Sequence, residues 1–163
     1  MAAVVSDTSV INYLAAVEQT ALLPIQFGKV FVPPDVWREL HARPGLPGTM
    51  AADAAEKSGW LIVQEPKPNQ ILNQLRADLD PGEAEAIVLA CELKSAIVLL
   101  DETDGRAAAR GLGLQIIGTA GILAQARTSG QLQKIKPLLD RLMREYRFRL
   151  SRELYSQLIA EDQ

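Results

Sequence analysis

Cysteine and histidine, on which many enzyme sites depend, each occur only once in this sequence, as Cys91 and His41. A single cysteine excludes an internal disulfide framework and a zinc site built from cysteines, and it fits a reducing cytoplasm. His41 precedes a loop rich in proline and glycine, so a Ser-His-Asp triad would have to take its base from the surface. We therefore do not expect nucleophilic catalysis by such a triad.

Long apolar runs and phosphate-binding loops are also missing. No window approaches the roughly 20 apolar residues of a membrane-spanning helix, and the N-terminus lacks the pattern of a signal peptide. The motif G-x-x-x-x-G-K-[ST] is absent, and Gly111 and Gly113 do not complete a dinucleotide-binding fingerprint. We expect a soluble cytoplasmic protein that makes no use of a membrane.

Short apolar runs, partly β-branched, alternate with helical patterns along the chain. Such runs are typical of strands buried in a parallel sheet. The predicted strands cover residues 2–5, 29–32, 60–63, 97–100 and 114–117. Between them we expect a loop over 43–48 and a helix over 119–128 that is capped by Thr119. Strands alternating with helices predict an α/β fold, with three α/β/α layers around a mainly parallel sheet.

The length of 163 residues fits a single domain over residues 1–163. Two amphipathic patterns near the C-terminus predict helices within residues 133–163, packed on that domain. We find no internal repeat and no segment of low complexity. The chain is therefore expected to form one core.

Acidic residues follow two of the predicted strands. Asp7 ends the first strand, and Asp101 and Asp104 come just after the fourth. Ligands of open α/β sheets bind beyond the carboxyl ends of the strands, where Glu39 and Glu83 can also reach from predicted helices. Clustered carboxylates are stable mainly when a cation neutralises them. Oxygen ligands favour Mg²⁺ or Mn²⁺, whose bound water can attack a phosphodiester.

Each of these acids also has a purely structural interpretation. Asp7 can be the N-cap of the helix that follows it. Glu39 can be a solvated helix residue, and Glu83 lies in a first helical turn, where the helix dipole favours acids. Asp101 can be a cap, and Asp104 can pair with a nearby basic group. The residues alone leave both interpretations open.

Positive charge is concentrated near the C-terminus. Residues 127–163 hold 8 basic and 5 acidic residues, whereas residues 1–126 hold 9 and 15. The basic residues of the C-terminal part are Arg127, Lys134, Lys136, Arg141, Arg144, Arg147, Arg149 and Arg152. They form either a solvated face of the C-terminal helices or a surface for a phosphate backbone beside the acidic site.

Four segments of the sequence resemble the PIN-domain ribonucleases, particularly the toxin-like members of prokaryotic toxin–antitoxin pairs. They are VVSDTSVINYL at 4–14, VFVPPDVWREL at 30–40, DPGEAEAIVLA at 80–90 and VLLDETDGRAAARGLGLQIIGTAGILAQA at 98–126. Together they span most of the chain. The first segment and the combination of GEAEAI with LLDETDGR are the specific parts.

The resemblance implies a set of catalytic, metal-binding acids, namely Asp7, Glu39, Glu83 and Asp101. Glu83 stands where many members have aspartate, and its longer side chain can hold a metal through water. Many toxin-like members have Thr-x-Asp after the fourth strand, whereas here the acid comes one step earlier. Asp104 is therefore a further predicted metal ligand, which shares or replaces the role of Asp101.

The resemblance also implies an activity and partners. It predicts an endoribonuclease that cleaves single-stranded RNA with Mg²⁺ or Mn²⁺, as a homodimer controlled by a protein antitoxin. One alternative is a catalytically inactive PIN-like module that binds RNA or protein. Another is a phosphoryl-transfer enzyme or receiver domain with Asp7 as the phosphorylated residue. Asp7-Thr8-Ser9 lacks the Asp-x-Asp of the former, and residues 114–118 lack the lysine of the latter.

Overall fold

The computed structural model describes residues 3–94 and 97–162. Within them, five strands form one sheet in the order β3-β2-β1-β4-β5, and all neighbouring strands are parallel. The strands are β1 Val4–Ser6, β2 Val30–Val32, β3 Leu61–Val63, β4 Ile97–Leu99 and β5 Gln115–Ile117. Because β1 lies in the middle of the sheet, Asp7 emerges at the centre of its carboxyl edge.

Helices cover both faces of this sheet. In the part of the chain that the structure describes they are α1 Thr8–Ala16, α2 Leu22–Phe27, α3 Pro34–Leu40, α4 Pro47–Lys57, α5 Gln70–Leu75, α6 Pro81–Glu92, α7 Thr103–Gly111, α8 Thr119–Thr128, α9 Lys136–Glu145 and α10 Arg152–Ala160. None of the described helices is both long enough and apolar enough to cross a membrane.

Two apolar clusters give the molecule its layers. Successive strand residues point to opposite faces, so Val4 packs with α1, α2, α8 and α9, while Val5 packs with α5, α6 and α7. In β4, Leu99 belongs to the same cluster as Val4, and Val98 belongs to the same cluster as Val5. The predicted three-layer α/β/α fold is therefore confirmed, with a sheet that is parallel throughout the described residues.

The C-terminal part of the chain shares the first of these clusters. Leu139 and Leu142 of α9 are fully buried in it, and Phe148 is nearly so. Helix α10 buries no residue fully. It is held by Arg127, whose guanidinium group lies 2.5 Å from Asp162. The same group donates a hydrogen bond to the carbonyl oxygen of Leu158.

Two local predictions need correction. Helix α4 begins at Pro47, inside the predicted loop 43–48, because proline fits the first turn of a helix. Gly118, not Thr119, is the N-cap of α8. The hydroxyl of Thr119 instead donates to Asp101. The predicted strand residue Ala2, like Met1 and Gln163 at the ends of the predicted domain, lies outside the described residues.

Candidate metal centre

Asp7 lies at the N-cap position of α1, but its carboxylate does not act as a cap. It accepts no capping hydrogen bond from that helix beyond the adjacent N–H of Thr8, and the residue is only 2% exposed. Burial is the main cause that raises its pKa from 3.8 to about 7, with further contributions from the charges of Asp80, Glu39 and Asp101. Because a buried carboxylate is costly without compensation, this position favours a cation.

Two further acids meet Asp7 from different elements. Glu39 comes from α3 and Asp80 from the turn before α6, and one carboxylate oxygen of each of the three lies within 4.8 Å of the others. We call these three residues the acidic trio. The hydroxyl of Thr8 donates to Oε2 of Glu39 at 2.5 Å and fixes its orientation. Three oxygen donors at this spacing suit a hard divalent cation.

Asp80 is the member of the trio that was not predicted from the sequence. Its Oδ1 accepts the backbone N–H of Glu83 at 2.9 Å, so it also caps α6. In the sequence, Asp80-Pro81-Gly82 looks like an ordinary helix start, and that appearance conceals the second role. The sequence feature that could have indicated this second role is the position of Asp80, three residues before Glu83 in a segment that resembles the PIN-domain ribonucleases.

Glu83 adjoins the trio from the first turn of α6. The residue is 6% exposed, and Oε2 has no hydrogen-bond partner among the described residues. Burial is the main cause that raises its pKa to about 9, and a hydrogen bond that its carboxyl group donates to Asp80 and the negative charge of Asp80 act in the same direction. Charges on Asp7 act in the same direction. An unpaired buried oxygen beside three carboxylates fits a bound cation or its water, so the residues present are suited to a divalent ion.

Glycines make room for these carboxyl groups. A Cβ on Gly82 would lie 2.6 Å from Oε1 of Glu39, and a Cβ on Gly105 would lie 2.5 Å from Oε2 of Glu83. Any side chain at either position would displace an acid. The first turns of α6 and α7 can therefore approach the acidic edge only because they carry glycine there.

Asp101 has a different environment, one strand away from Asp7. Its Oδ1 accepts the N–H of Thr119 at 2.9 Å, and its Oδ2 accepts the hydroxyl of the same residue at 2.7 Å. Nη2 of Arg106 lies 4.0 Å from Oδ1. Burial raises the pKa of Asp101, while Thr119 and Arg106 act to lower it. Asp101 thus anchors the N-terminus of α8, and Asp104 is exposed on the first turn of α7.

A comparison with protein families identifies this architecture. A family model described as PIN domain matches residues 3–163, nearly the whole chain. The chain belongs to the PIN-domain family. The predicted family membership is confirmed.

Comparisons with individual proteins add little. No curated protein matches the chain significantly. Among solved structures, this PIN domain is similar to a PilT N-terminus domain protein from the hyperthermophilic archaeon Sulfolobus solfataricus P2. The two are 21% identical over 77% of this chain and 93% of the other, with a TM-score of 0.40.

Of the five predicted metal ligands of this PIN domain, the structure brings Asp7 and Glu39 into direct proximity. Asp80 completes that group, and Glu83 interacts with it through Asp80. Asp101 and Asp104 lie outside the acidic trio. The nuclease-type fold and its acidic residues can hold a metal ion, and the fit is best where strand β1 ends.

Proposed function

We propose that this PIN domain is an endoribonuclease that uses Mg²⁺ or Mn²⁺ to cleave single-stranded RNA. The observation that carries the proposal is the acidic trio, in which oxygens from three separate elements lie within 4.8 Å of one another. Carboxylates placed so closely repel one another unless a cation lies between them. Together with the family fold, this arrangement supports metal-assisted phosphodiester hydrolysis.

Each residue has a role in this proposal. Asp7, Glu39 and Asp80 would hold the ion, which when bound would lower the pKa of water and stabilise negative charge on the phosphate. Thr8 keeps the Glu39 carboxylate oriented. Glu83 offers its unpaired Oε2 to the same space.

Asp101 is the fifth acid of the proposal. Its negative charge acts on Asp7 from the adjacent strand, and we prefer it to Asp104, which faces solvent. The resemblance of the sequence to toxin-like members further supports a cytoplasmic toxin, acting as a homodimer and silenced by a protein antitoxin.

The decisive experiment is cleavage of a mixed pool of labelled single-stranded RNA with Mg²⁺ or Mn²⁺, compared with EDTA. Asp7→Asn and Asp80→Asn should each reduce the rate by about 100-fold or more, the scale of losing one electrostatic group at a transition state. Asn still caps helices, so Asp80→Asn removes charge while keeping the start of α6. Asp78→Asn, an exposed acid in the same turn region, is the matched control and should cleave normally.

The second candidate is a PIN-like module that binds RNA or protein without cleaving. It is favoured by the contacts of both Asp101 oxygens with Thr119, which give this acid a structural role. RNA binding by folded wild-type protein, with no cleavage in either metal, would favour this function over the nuclease.

A further inference from the structure

A large groove begins beside the acidic edge of the sheet. It has a volume of about 1260 Å³, and Asp101 and Glu102 are among the residues that line it. Residues 147–151, from the segment that joins α9 to α10, line it as well. Pockets for small molecules usually occupy about 300–1,000 Å³, so this groove suits an extended ligand better than a metabolite.

The structure divides the basic residues of the C-terminal region into two groups. Those that form salt bridges with carboxylates are Arg127, Lys136, Arg141 and Arg144. Lys134, Arg147, Arg149 and Arg152 form no salt bridge with the described part of the chain, and of these four only Arg147 and Arg149 line the groove. Of the unpaired C-terminal cations, these two arginines are therefore the ones that a ligand in the groove would meet.

The backbone that carries these two arginines is held in place. Arg147 has a φ of 58°, a left-handed conformation that few residues other than glycine adopt. Phe148, between the arginines, is buried, and its N–H donates to the carbonyl oxygen of Leu142 at 3.1 Å. Such conformations persist where the surroundings enforce them, often at binding sites. The arginine pair is thus presented by a fixed segment rather than by a free loop.

An aromatic ring lies along the same groove. Tyr13 lines it, partly exposed, and packs edge-on against Phe148 with the ring centres 4.9 Å apart. Asp101, Glu102, Arg147 and Arg149 line the same groove as the ring. Cationic side chains together with an aromatic ring are the combination that proteins use to bind single-stranded nucleic acid.

We propose that this groove binds the nucleotides that flank the cleaved phosphate, with Arg147 and Arg149 contacting backbone phosphates and Tyr13 facing a base. The inference rests on the proposed function, because it takes the occupant to be the RNA substrate. Charge complementarity selects that occupant: two unpaired guanidinium groups match a phosphate chain. Arg141 and Arg144, already paired with Glu145, have no part in it.

The test measures binding without cleavage. A fluorescently labelled, mixed-sequence 12-nucleotide RNA is titrated in EDTA at several salt concentrations, and its anisotropy is recorded. The double variant Arg147→Gln/Arg149→Gln should bind at least about 10-fold more weakly, with the slope of log K against log salt reduced by about 1.4. The matched control Arg141→Gln/Arg144→Gln removes the same charge from α9 and should stay within about 2-fold of wild type, because those arginines are already paired.

A third variant separates charge from folding. Arg147→Lys/Arg149→Lys keeps the positive charge and should retain the wild-type salt dependence. The proposal would be overturned if the two glutamine variants lost RNA affinity equally, if neither lost affinity, or if the wild type did not bind RNA. In the last case, arginine-dependent binding of an acidic peptide would make the groove a protein site.

Failure of the nuclease proposal gives a different result. If RNA is never cleaved but binding still depends on Arg147 and Arg149, the hydrolase assignment fails and the groove assignment stands. If cleavage depends on Asp7 but binding does not depend on Arg147 and Arg149, the hydrolase assignment stands and the groove assignment fails.

Discussion

Individual residues determine whether several carboxyl groups can lie close together at the edge of this sheet. Asp7 and Glu83 are buried, and burial raises the pKa of each. Gly82 and Gly105 leave space that any other residue would fill. The site therefore depends on the absence of side chains at two positions as much as on the acids themselves.

Gly105→Ala should destabilise the protein by about 1–3 kcal/mol, the usual cost of overpacking. The new Cβ would lie 2.5 Å from Oε2 of Glu83 and 3.0 Å from a methyl group of Leu100, so the carboxyl group must move. Urea denaturation followed by circular dichroism measures the change. Gly111→Ala in the same helix is the control, since a Cβ there meets nothing within 4 Å. Equal stability of the two variants would contradict the close approach at Gly105.

The acidic site should also give the metal-free protein a characteristic pH dependence. The pKa of Asp7 is about 7 in the folded protein and 3.8 as a reference. Between these values the folded state binds more protons than the unfolded state, so the free energy of unfolding falls as pH rises from about 4 to 7. In EDTA, Asp7→Asn should therefore become more stable than wild type across this range, by an amount on the order of a few kcal/mol.

Denaturation series at pH 4 and pH 7.5 measure this difference. A stability difference between Asp7→Asn and wild type that does not change with pH would contradict the raised pKa. Asp78→Asn, whose side chain is exposed, is the reference for simple loss of charge.

At the scale of helices and strands, a residue after one strand determines where the next helix starts. Asp101 follows β4 and binds the first residue of α8 through both its oxygens. Gly118 permits this approach, since a Cβ there would lie 2.7 Å from Oδ1 of Asp101. The position of α8, which forms one wall of the groove, is thus tied to an acid from a neighbouring strand.

Thr119→Val should cost about 1.5–3 kcal/mol, because it removes a hydrogen bond to a charged group while keeping the shape of the side chain. Thr128→Val at the other end of α8 is the matched control. Its hydroxyl donates to the carbonyl oxygen of Ala124 in an exposed position, so the loss there should stay below about 0.5 kcal/mol. Thermal and urea unfolding measure both variants, and equal costs would show that Asp101 does not depend on Thr119.

Elements were easier to predict from the sequence than contacts between them. Helix α8 has the predicted bounds, because its apolar spacing and flanking residues are local signals. Thr119 looked like a cap because threonine often is one, and only the neighbouring strand end shows its other partner. Asp80 was missed for a related reason: it does cap α6, and its proximity to Asp7 and Glu39 depends on how three distant segments pack.

At the scale of the whole molecule, the parallel sheet brings distant parts of the chain to one edge. Asp7, Glu39 and Asp80 belong to three different segments and meet only in the folded state. An ion that binds them should therefore bind the folded protein in preference to the unfolded chain. Binding then adds directly to stability.

Saturating Mg²⁺ or Mn²⁺ should raise the free energy of unfolding by about 2.7 kcal/mol at 100 times the dissociation constant. Thermal unfolding with metal and with EDTA measures the shift. Asp80→Asn should abolish most of it, whereas Asp78→Asn should retain it. A shift of the same size in both variants would exclude Asp80 as a ligand, even if cleavage is lost.

The position of β1 also determines when this site can form as the protein is synthesised. β1 is the first strand along the chain, yet it lies in the middle of the sheet, with Val4 paired to both Val30 and Ile97. The N–H of Asp7 itself donates to the carbonyl oxygen of Leu99. A nascent chain that ends before β4 lacks one neighbour of β1 and cannot enclose Asp7. Because β4 begins at residue 97, more than half of the 163 residues must be synthesised before β1 has both its neighbours.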